Sequence, residues 1–148
     1  MKFEAKTFSE LTVTELYELL RSRAEVFTVE QGIRVADPDG VDPDALHCFF
    51  WQDGRAVACL RGYAEPGMPD TVHIGRVLSL SRGGGVGKRL FSLAIPALLA
   101  HFGASRILVH AQCHARPFYE RVGFRAISDE FIEAGIPHIA MEWAEREG

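Results

Sequence analysis

The chain has 148 residues, of which 47% are hydrophobic and 24% are charged. This composition suits one domain with a buried core and excludes a disordered protein. The 16 Lys and Arg residues against 20 Asp and Glu residues give a formal net charge of −4, so we expect no nucleic-acid partner, since such proteins are usually basic. Residues 1–50 hold 5 basic and 10 acidic residues and the remainder holds 11 and 10. An anionic ligand is therefore expected in the second part.

Cysteine usage and hydropathy point to a compartment. Cys48, Cys59 and Cys113 form no CxxC pair, which favours reduced thiols over a disulfide framework. Residues 1–6 have no apolar signal core, and no apolar run reaches the ~18 residues that a membrane span requires. We expect a cytoplasmic location and no membrane partner.

The predicted elements alternate between helix and strand. Thr12 and Glu15 form a capping box that opens the first helix, and Gly32 ends it. Asp53-Gly54 is a hairpin turn signal. In chain order we predict this helix, strands over 47–51, 55–63 and 71–80, a helix that follows the glycines at 83–87 and stops at Gly103, a strand over 106–111, a short helix over 116–122, and strands over 125–128 and 136–143. This order predicts one α/β (α+β) domain over 1–148, with a mixed central sheet flanked by helices.

Between the third strand and the second helix lies the run Gly83-Gly84-Gly85-Val86-Gly87. A glycine turn between a strand and a helix lets backbone N–H groups approach a phosphate at the positive end of the helix dipole. A P-loop is excluded because Arg82 stands where its first glycine belongs and Arg89 where Ser or Thr belongs. A dinucleotide fingerprint also fails, because Lys88 or Leu90 takes the place of its third glycine.

The pattern Arg82-x-x-Gly85-x-Gly87 resembles the pyrophosphate loop of GCN5-related N-acetyltransferases (GNAT). The segment Phe118-Tyr119-Glu120-Arg121-Val122-Gly123-Phe124 is similar to the family's FYxxxGF motif. Residues 25–31, 74–77, 111–114 and 135–139 resemble the ElaA-like subfamily, although the stretch between Arg76 and Arg82 is two residues shorter than usual there. A change of two residues keeps each strand side chain on its face, but it leaves open which backbone groups near Val77 and Leu78 meet the ligand.

The resemblance implies a GNAT-like fold and acetyl-coenzyme A as co-substrate, with no metal and no covalent enzyme intermediate. The backbone of the glycine run would hold the pyrophosphate, with Arg82 and Lys88 as charge partners. The implied cofactor residues are Val77, Leu78, Ser79, Arg82, Gly83, Gly84, Gly85, Val86, Gly87, Lys88 and Phe118.

Acetyl transfer to an amine requires a proton donor for the leaving thiolate and a proton acceptor for the amine. Tyr119 is the predicted acid, and its position 100° around the helix from the face of Phe118 and Val122 frees it from their packing. Glu30 is the predicted base, although His47, His73, His114 and His138 compete for this role, and a water relay would let several groups share it. The residues expected to meet the substrate are Gln31, His47, Arg76, Gln112, His114 and His138.

A metal site is a poor alternative. His110 and His114 are four residues apart but lie on a strand and its end instead of one helix face. The acidic run Asp37, Asp39, Asp42 and Asp44 lacks the glycine and final glutamate of an EF-hand, so we expect a solvated loop or, less readily, attraction of a cationic amine.

Two functions fit these residues. The first is an acetyl-coenzyme A-dependent N-acetyltransferase, and the second is a non-catalytic acyl-coenzyme A-binding module of the same fold. The acceptor, whether a polyamine, an amino acid, an antibiotic or a protein N-terminus, stays open. The resemblance also makes a homodimer a candidate assembly.

Overall fold

The computed structural model describes residues 1–145. Its eight strands are β1 (Lys2–Thr7), β2 (Leu46–Gln52), β3 (Arg55–Ala64), β4 (Thr71–Ser79), β5 (Arg106–Gln112), β6 (Arg125–Ala126), β7 (Phe131–Glu133) and β8 (Ile136–Ala144). They form one sheet in the order β1-β2-β3-β4-β5-β8-β6, with β7 paired to β8. The pair β4–β5 is parallel and the other pairs are antiparallel. The predicted mixed α/β sheet is confirmed.

Three helices flank this sheet: α1 (Val13–Arg23), α2 (Val86–Phe102) and α3 (Arg116–Arg121). The predicted capping box opens α1, because Thr12 Oγ1 accepts from the Glu15 amide at 3.0 Å while Glu15 Oε1 accepts from the Thr12 amide at 2.9 Å. The helix does not continue as α-helix to Gly32. It widens into a π-helix over Ala24–Glu30, and π-helical turns are frequent at functional sites.

The two faces of the sheet carry separate cores. On one face, α2 buries Leu90, Phe91 and Leu98 to 1% exposure or less. On the other, Leu19 and Val26 of the first helical segment pack over β2, β3 and β4. Burial of each large apolar side chain contributes about 1.5–3 kcal/mol, so both faces hold the sheet rigid beneath the cleft described below.

The sheet opens where β4 and β5 separate. Their pairing ends at Ile74 and Val109, although β4 runs on to Ser79 and β5 to Gln112. Parallel strands that part in this way leave backbone groups of β4 without a strand neighbour on that side.

Sequence patterns missed two strands. β1 reads KFEAKT, with only two apolar residues, and lies at the edge of the sheet. β7 has three residues, too few for an alternation to be recognised. None of the helices in residues 1–145 is long and apolar enough to cross a membrane.

Candidate active site

The parting of β4 and β5 opens into a cleft of about 860 Å³. Its walls come from the π-helix after α1, from β4 and β5, from the glycine loop and from α3. The predicted site residues that line it are Glu30, Gln31, Arg76, Val77, Leu78, Ser79, Arg82, Gly83, Gly85, Val86, Gly87, Lys88, Gln112, His114, Phe118, Tyr119 and His138. Segments up to 108 residues apart in sequence therefore share one cavity. Gly84 belongs to the same loop without lining the cleft.

The glycine loop presents a helix N-terminus to this cleft. Gly83, Gly84 and Gly85 have φ angles of 84°, 72° and 70°, values that L side chains rarely adopt. In the part of the chain that the structure describes, and apart from the adjoining residues, no heavy atom lies within 4 Å of a Cβ built at any of the three. The backbone conformation, not crowding, therefore calls for glycine. Gly85 is the N-cap residue of α2, and no side chain of the described residues 1–145 caps this helix. The N–H groups of the first turn are therefore available to an anion.

Gly87 is needed for a different reason. A Cβ at this position would lie 3.1 Å from the Phe118 ring, closer than ordinary van der Waals contact. The ring of Phe118 thus covers the first turn of α2 and fixes α3 beside the glycine loop. This contact connects the two family-like motifs, which are separated by 30 residues in sequence.

Arg82 is paired with Glu30 in this structure. The Arg82 side chain is 83% exposed and that of Glu30 is 45% exposed, and ion pairs at such exposure are worth about 0–1 kcal/mol. Breaking the Arg82–Glu30 ion pair therefore costs little free energy, and the Arg82 guanidinium can pair with a phosphate instead. Lys88 is also exposed on the first turn of α2.

The Tyr119 side chain lies in an aromatic cluster and borders the cleft. Its ring meets Phe91, Phe118 and Phe124 edge-on, with centroids 5.7, 5.3 and 5.6 Å away, and the residue is 6% exposed. The expectation that Tyr119 stays clear of the packing around Phe118 is wrong, because a one-turn helix places both rings against α2. Burial raises the pKa of the Tyr119 phenol above its ordinary value of 10, so the hydroxyl keeps its proton at neutral pH.

A chain of hydrogen bonds crosses the cleft beyond Tyr119. Gln112 Nε2 donates to Gln31 Oε1 at 3.0 Å, and Gln112 Oε1 accepts from His114 Nε2 at 2.7 Å. The end of β5 is thereby joined to the end of the π-helix. The three side chains predicted to meet substrate act as one connected group on the wall of the cleft.

A bulge in β4 shapes the opposite wall. Gly75 pairs with Arg61 and Leu78 with Cys59, so Arg76 and Val77 stand opposite a single residue of β3. Arg76 has a φ of 53°, a left-handed conformation that also occurs at the first residue of G1 bulges. The Cys59 thiol donates to the Arg76 carbonyl at 3.8 Å, and burial raises the pKa of this thiol to about 12, which keeps the donor proton in place. The register shows that Arg76 and Val77 lie just beyond Ile74, where the pairing of β4 with β5 ends.

The prediction of a solvated acidic loop is wrong for Asp42, which is buried, and Asp37 and Asp39 are ion-paired, whereas Asp44 is exposed as predicted. Asp42 is 3% exposed and accepts from Arg23 at 2.8 Å and Arg61 at 2.9 Å. Asp39 accepts from Arg61 at 2.7 Å and from Arg76 at 3.3 Å. The hydrogen bond from Arg61 holds the pKa of Asp39 well below its usual 3.8. The loop is thus bound down onto β3 and β4, and Arg76 is paired with acids.

His47 does not reach the cleft. It is 2% exposed, and its Nε2 donates to the Asp42 carbonyl at 3.0 Å. Burial lowers the pKa of His47, which favours the neutral ring. His47 therefore supports the acidic loop from below, and we withdraw it from the substrate residues.

Several cleft residues escaped the sequence analysis. Tyr63 and Glu133 line the cleft without having been predicted. His73 and His110, considered only as a competing base and as a metal ligand, line it too. His110 and Gln112 are two apart on β5 and so face the same side of the sheet, a signal that the search for metal ligands passed over. Glu133 lies on the short strand β7, which no sequence pattern indicated.

The comparisons with known proteins agree with this geometry. Residues 16–145 match the sequence model of the acetyltransferase (GNAT) domain. Protein ElaA of Escherichia coli strain K12 is 36% identical over 137 residues, which is 90% of each chain. The crystal structure of Escherichia coli ElaA superposes with a TM-score of 0.87 at 34% identity and covers 96% of this chain and 98% of that one. An acyl-CoA N-acyltransferase from Pseudomonas aeruginosa superposes with a TM-score of 0.88 at 36% identity, over 97% of this chain and 100% of that one.

Proposed function

The chain belongs to the GNAT family of acyltransferases, with ElaA among its relatives, and on that premise we propose that it transfers an acetyl group from acetyl-coenzyme A to an amine. The amine nitrogen attacks the thioester directly. One observation carries the proposal: an uncapped, glycine-lined N-terminus of α2 opens onto the cleft at the parting of β4 and β5. The residues present fit an acyl-coenzyme A, because this end of the cleft offers backbone donors and cations to a pyrophosphate.

The glycine loop and the first turn of α2 would hold the pyrophosphate. Backbone N–H groups from Gly83 to Lys88 donate to its oxygens, and Arg82 and Lys88 supply positive charge. Gly84 keeps its predicted role through the loop conformation. Phe118 holds this loop against α3.

The part of β4 that is no longer paired with β5 would bind the thioester end of the cofactor. The backbone of Val77, Leu78 and Ser79 follows the bulge, where β5 no longer pairs with it. An N–H group of this segment would bind the carbonyl oxygen as charge develops on it, as oxyanion donors do.

Tyr119 would donate the proton that the leaving thiolate requires. Its phenol is protonated at neutral pH, whereas a thiol in water has a pKa of roughly 8.5. Placement of this hydroxyl among phenyl rings excludes water that would otherwise compete for the thiolate.

The acceptor would enter from the wall formed by Gln31, Arg76, Gln112, His114 and His138. Glu30 as the base stays a prediction, since its carboxylate faces Arg82. Cys48, Cys59 and Cys113 are unpaired thiols, which supports a reducing compartment such as the cytoplasm.

The test is acetyl-coenzyme A incubated with the wild-type protein and a panel of amines, with free thiol followed over time. Thiol release that depends on the amine supports the transferase. Calorimetric binding of coenzyme A without release for any amine would replace it with the non-catalytic binding module.

A further inference from the structure

One end of the cleft is built from rings and carboxylates. The ring of His73 stacks on Tyr63 with centroids 5.1 Å apart, and it meets His110 edge-on at 4.8 Å. His138 lies nearby on β8, and its Nε2 is 3.8 Å from Glu133 Oε2. We call Tyr63, His73, His110, His138 and Glu133 the imidazole end of the cleft, since all five line it.

The partners of the three histidines fix which ring nitrogen carries the proton. His73 Nδ1 lies 2.7 Å from a Glu65 carboxylate oxygen, and His110 Nδ1 lies 2.9 Å from one of Glu133. His138 Nδ1 lies 2.7 Å from the Ile136 carbonyl. Carboxylate and carbonyl oxygens only accept hydrogen bonds, so each Nδ1 donates. In the neutral rings, Nε2 is then the unprotonated, basic nitrogen.

His110 is the member of this group that a substrate can reach. Its side chain is 33% exposed, whereas the side chains of His73 and His138 are 13% and 8% exposed. It follows Val109, the last β5 residue paired with β4, and so stands where the strands part. A carboxylate on Nδ1 holds an imidazole in one orientation and one tautomer, as in catalytic dyads.

The charges nearby favour a cation. Glu133 is 48% exposed, and within residues 1–145 its hydrogen-bond partner is the His110 imidazole. Arg61 and Arg76 on the adjoining wall both face Asp39, so a substrate carboxylate meets guanidinium groups that are already neutralised. Tyr63 adds an aromatic ring of the kind that attracts ammonium groups.

We propose that the imidazole end of the cleft is the acceptor site, that it binds a protonated primary amine without a neighbouring carboxylate, and that His110, oriented by Glu133, removes the amine's proton. The proposal rests on the proposed acyl transfer and identifies its acceptor class. It moves the base from Glu30 to His110.

The proton balance is complete within the site. The ammonium group gives one proton to His110 Nε2, which forms an imidazolium paired with Glu133. The neutral nitrogen then attacks the thioester carbon, the C–N bond forms and the C–S bond breaks. The second nitrogen proton is lost as the tetrahedral intermediate collapses, and the thiolate leaves as a thiol with the Tyr119 proton. A water relays the second nitrogen proton to the Tyr119 phenolate, and bulk water accepts the proton from His110.

The groups that face His110 are compatible with this cycle. Glu133 approaches from β7, His73 from β4 with Glu65 behind it, Tyr63 from β3 and His138 from β8. Burial lowers the pKa of His73, although the Glu65 hydrogen bond opposes this. A neutral His73 adds no repulsion when His110 becomes charged.

The first test does not depend on turnover. Ring ¹⁵N NMR of the wild-type protein at pH 7.5, saturated with coenzyme A, should show His110 protonated at Nδ1 and unprotonated at Nε2. Addition of 1,5-diaminopentane should shift the His110 signals. In Glu133→Gln, the amine concentration that gives half of the full shift should be at least tenfold higher. A His110 protonated at Nε2, or signals that ignore the diamine, would overturn the acceptor site even where coenzyme A binds normally.

The second test is kinetic. His110→Gln should lower kcat/KM for 1,5-diaminopentane by about a hundredfold and remove the acidic limb of its pH profile, with coenzyme A affinity unchanged. His101→Gln, at an exposed position in the last turn of α2, is the matched control and should keep the limb. Lysine, which is the same diamine with a carboxylate on the carbon that bears one amine, should be acylated at this α-amine at least tenfold less efficiently than at its ε-amine.

Three kinetic outcomes contradict the proposal. If His110→Gln keeps both kcat/KM and the acidic limb of its pH profile, His110 is not the base. If Glu30→Gln loses this acidic limb, Glu30 is the base. Equal acylation of the two lysine amines refutes the acceptor class. Absence of turnover with every amine contradicts the proposed transferase instead, and the NMR titration then still decides whether the site binds an amine.

Discussion

Replacement of Tyr119 by Phe separates the chemistry of acyl transfer from the packing around it. The variant keeps the ring that meets Phe91, Phe118 and Phe124 at centroid distances of 5.3–5.7 Å and removes only the hydroxyl. Burial alone shifts the pKa of this phenol, and within residues 1–145 no group is hydrogen-bonded to it. Its removal therefore leaves no partner unsatisfied. We expect a change in the free energy of unfolding below about 0.5 kcal/mol and an unchanged affinity for coenzyme A.

Turnover should respond differently. Loss of a general acid costs about 10- to 100-fold at the lower end of such effects, which is about 1.4–2.7 kcal/mol in activation free energy. The assay is thiol release under saturating acetyl-coenzyme A and amine, with urea unfolding and calorimetry on the same preparations. Tyr17→Phe, at a position 65% exposed on α1, is the matched control and should retain full turnover. Full turnover of Tyr119→Phe would refute the acid role, and a large loss of stability would refute the packing argument.

Three further predictions address the loop and the ion-pair network. Gly85→Glu should weaken coenzyme A binding in calorimetry at least tenfold, which is about 1.4 kcal/mol. The control Gly54→Glu has a similar φ of 74° in a hairpin turn away from the cleft and should bind as the wild type does. Equal affinities of the two variants would contradict the assignment of the glycine loop as the binding site. Arg61→Met should lower the free energy of unfolding, measured with urea, by about 3–5 kcal/mol, because it removes an ion-pair partner of Asp39 and of the buried Asp42. A loss below about 1 kcal/mol would contradict a stabilising role of this ion pair. The pKa of Asp39 is lowered in the folded state, so its contribution to stability is present above its unfolded pKa of ~3.9 and is lost as pH falls below that value. Asp39→Asn should flatten the stability curve there, and an unchanged slope would contradict the ion pair.

The parts of the site that sequence predicts are local. The glycine loop follows from consecutive residues whose backbone conformation and helix position depend on few distant contacts. The pairing of Phe118 with Gly87 is tertiary, yet each lies within a motif that is recognisable by itself. The glycine loop and Phe118 therefore border one cleft, and their role in holding a cofactor stays a prediction.

The parts that sequence did not predict depend on contacts between distant segments. In the sequence, Asp42 has the surroundings of a solvated loop residue. In the structure it is hydrogen-bonded to Arg23 and Arg61, which lie 19 positions before and after it. His110 gains its orientation from Glu133, 23 positions later on a strand of three residues. Charge patterning along the chain cannot show such pairings, because they depend on strand register and loop placement.

The most direct measurement follows the acetyl group itself. Acetyl-coenzyme A carrying ¹³C in both acetyl carbons is incubated with the wild-type protein and a set of primary amines, and the amines are then analysed by mass spectrometry. The account predicts that an amine gains the mass of one labelled acetyl group on nitrogen, at a rate that Gly85→Glu and Tyr119→Phe both reduce. Tight binding of coenzyme A with no labelled amine in any reaction would contradict the assignment of this cleft to acyl transfer.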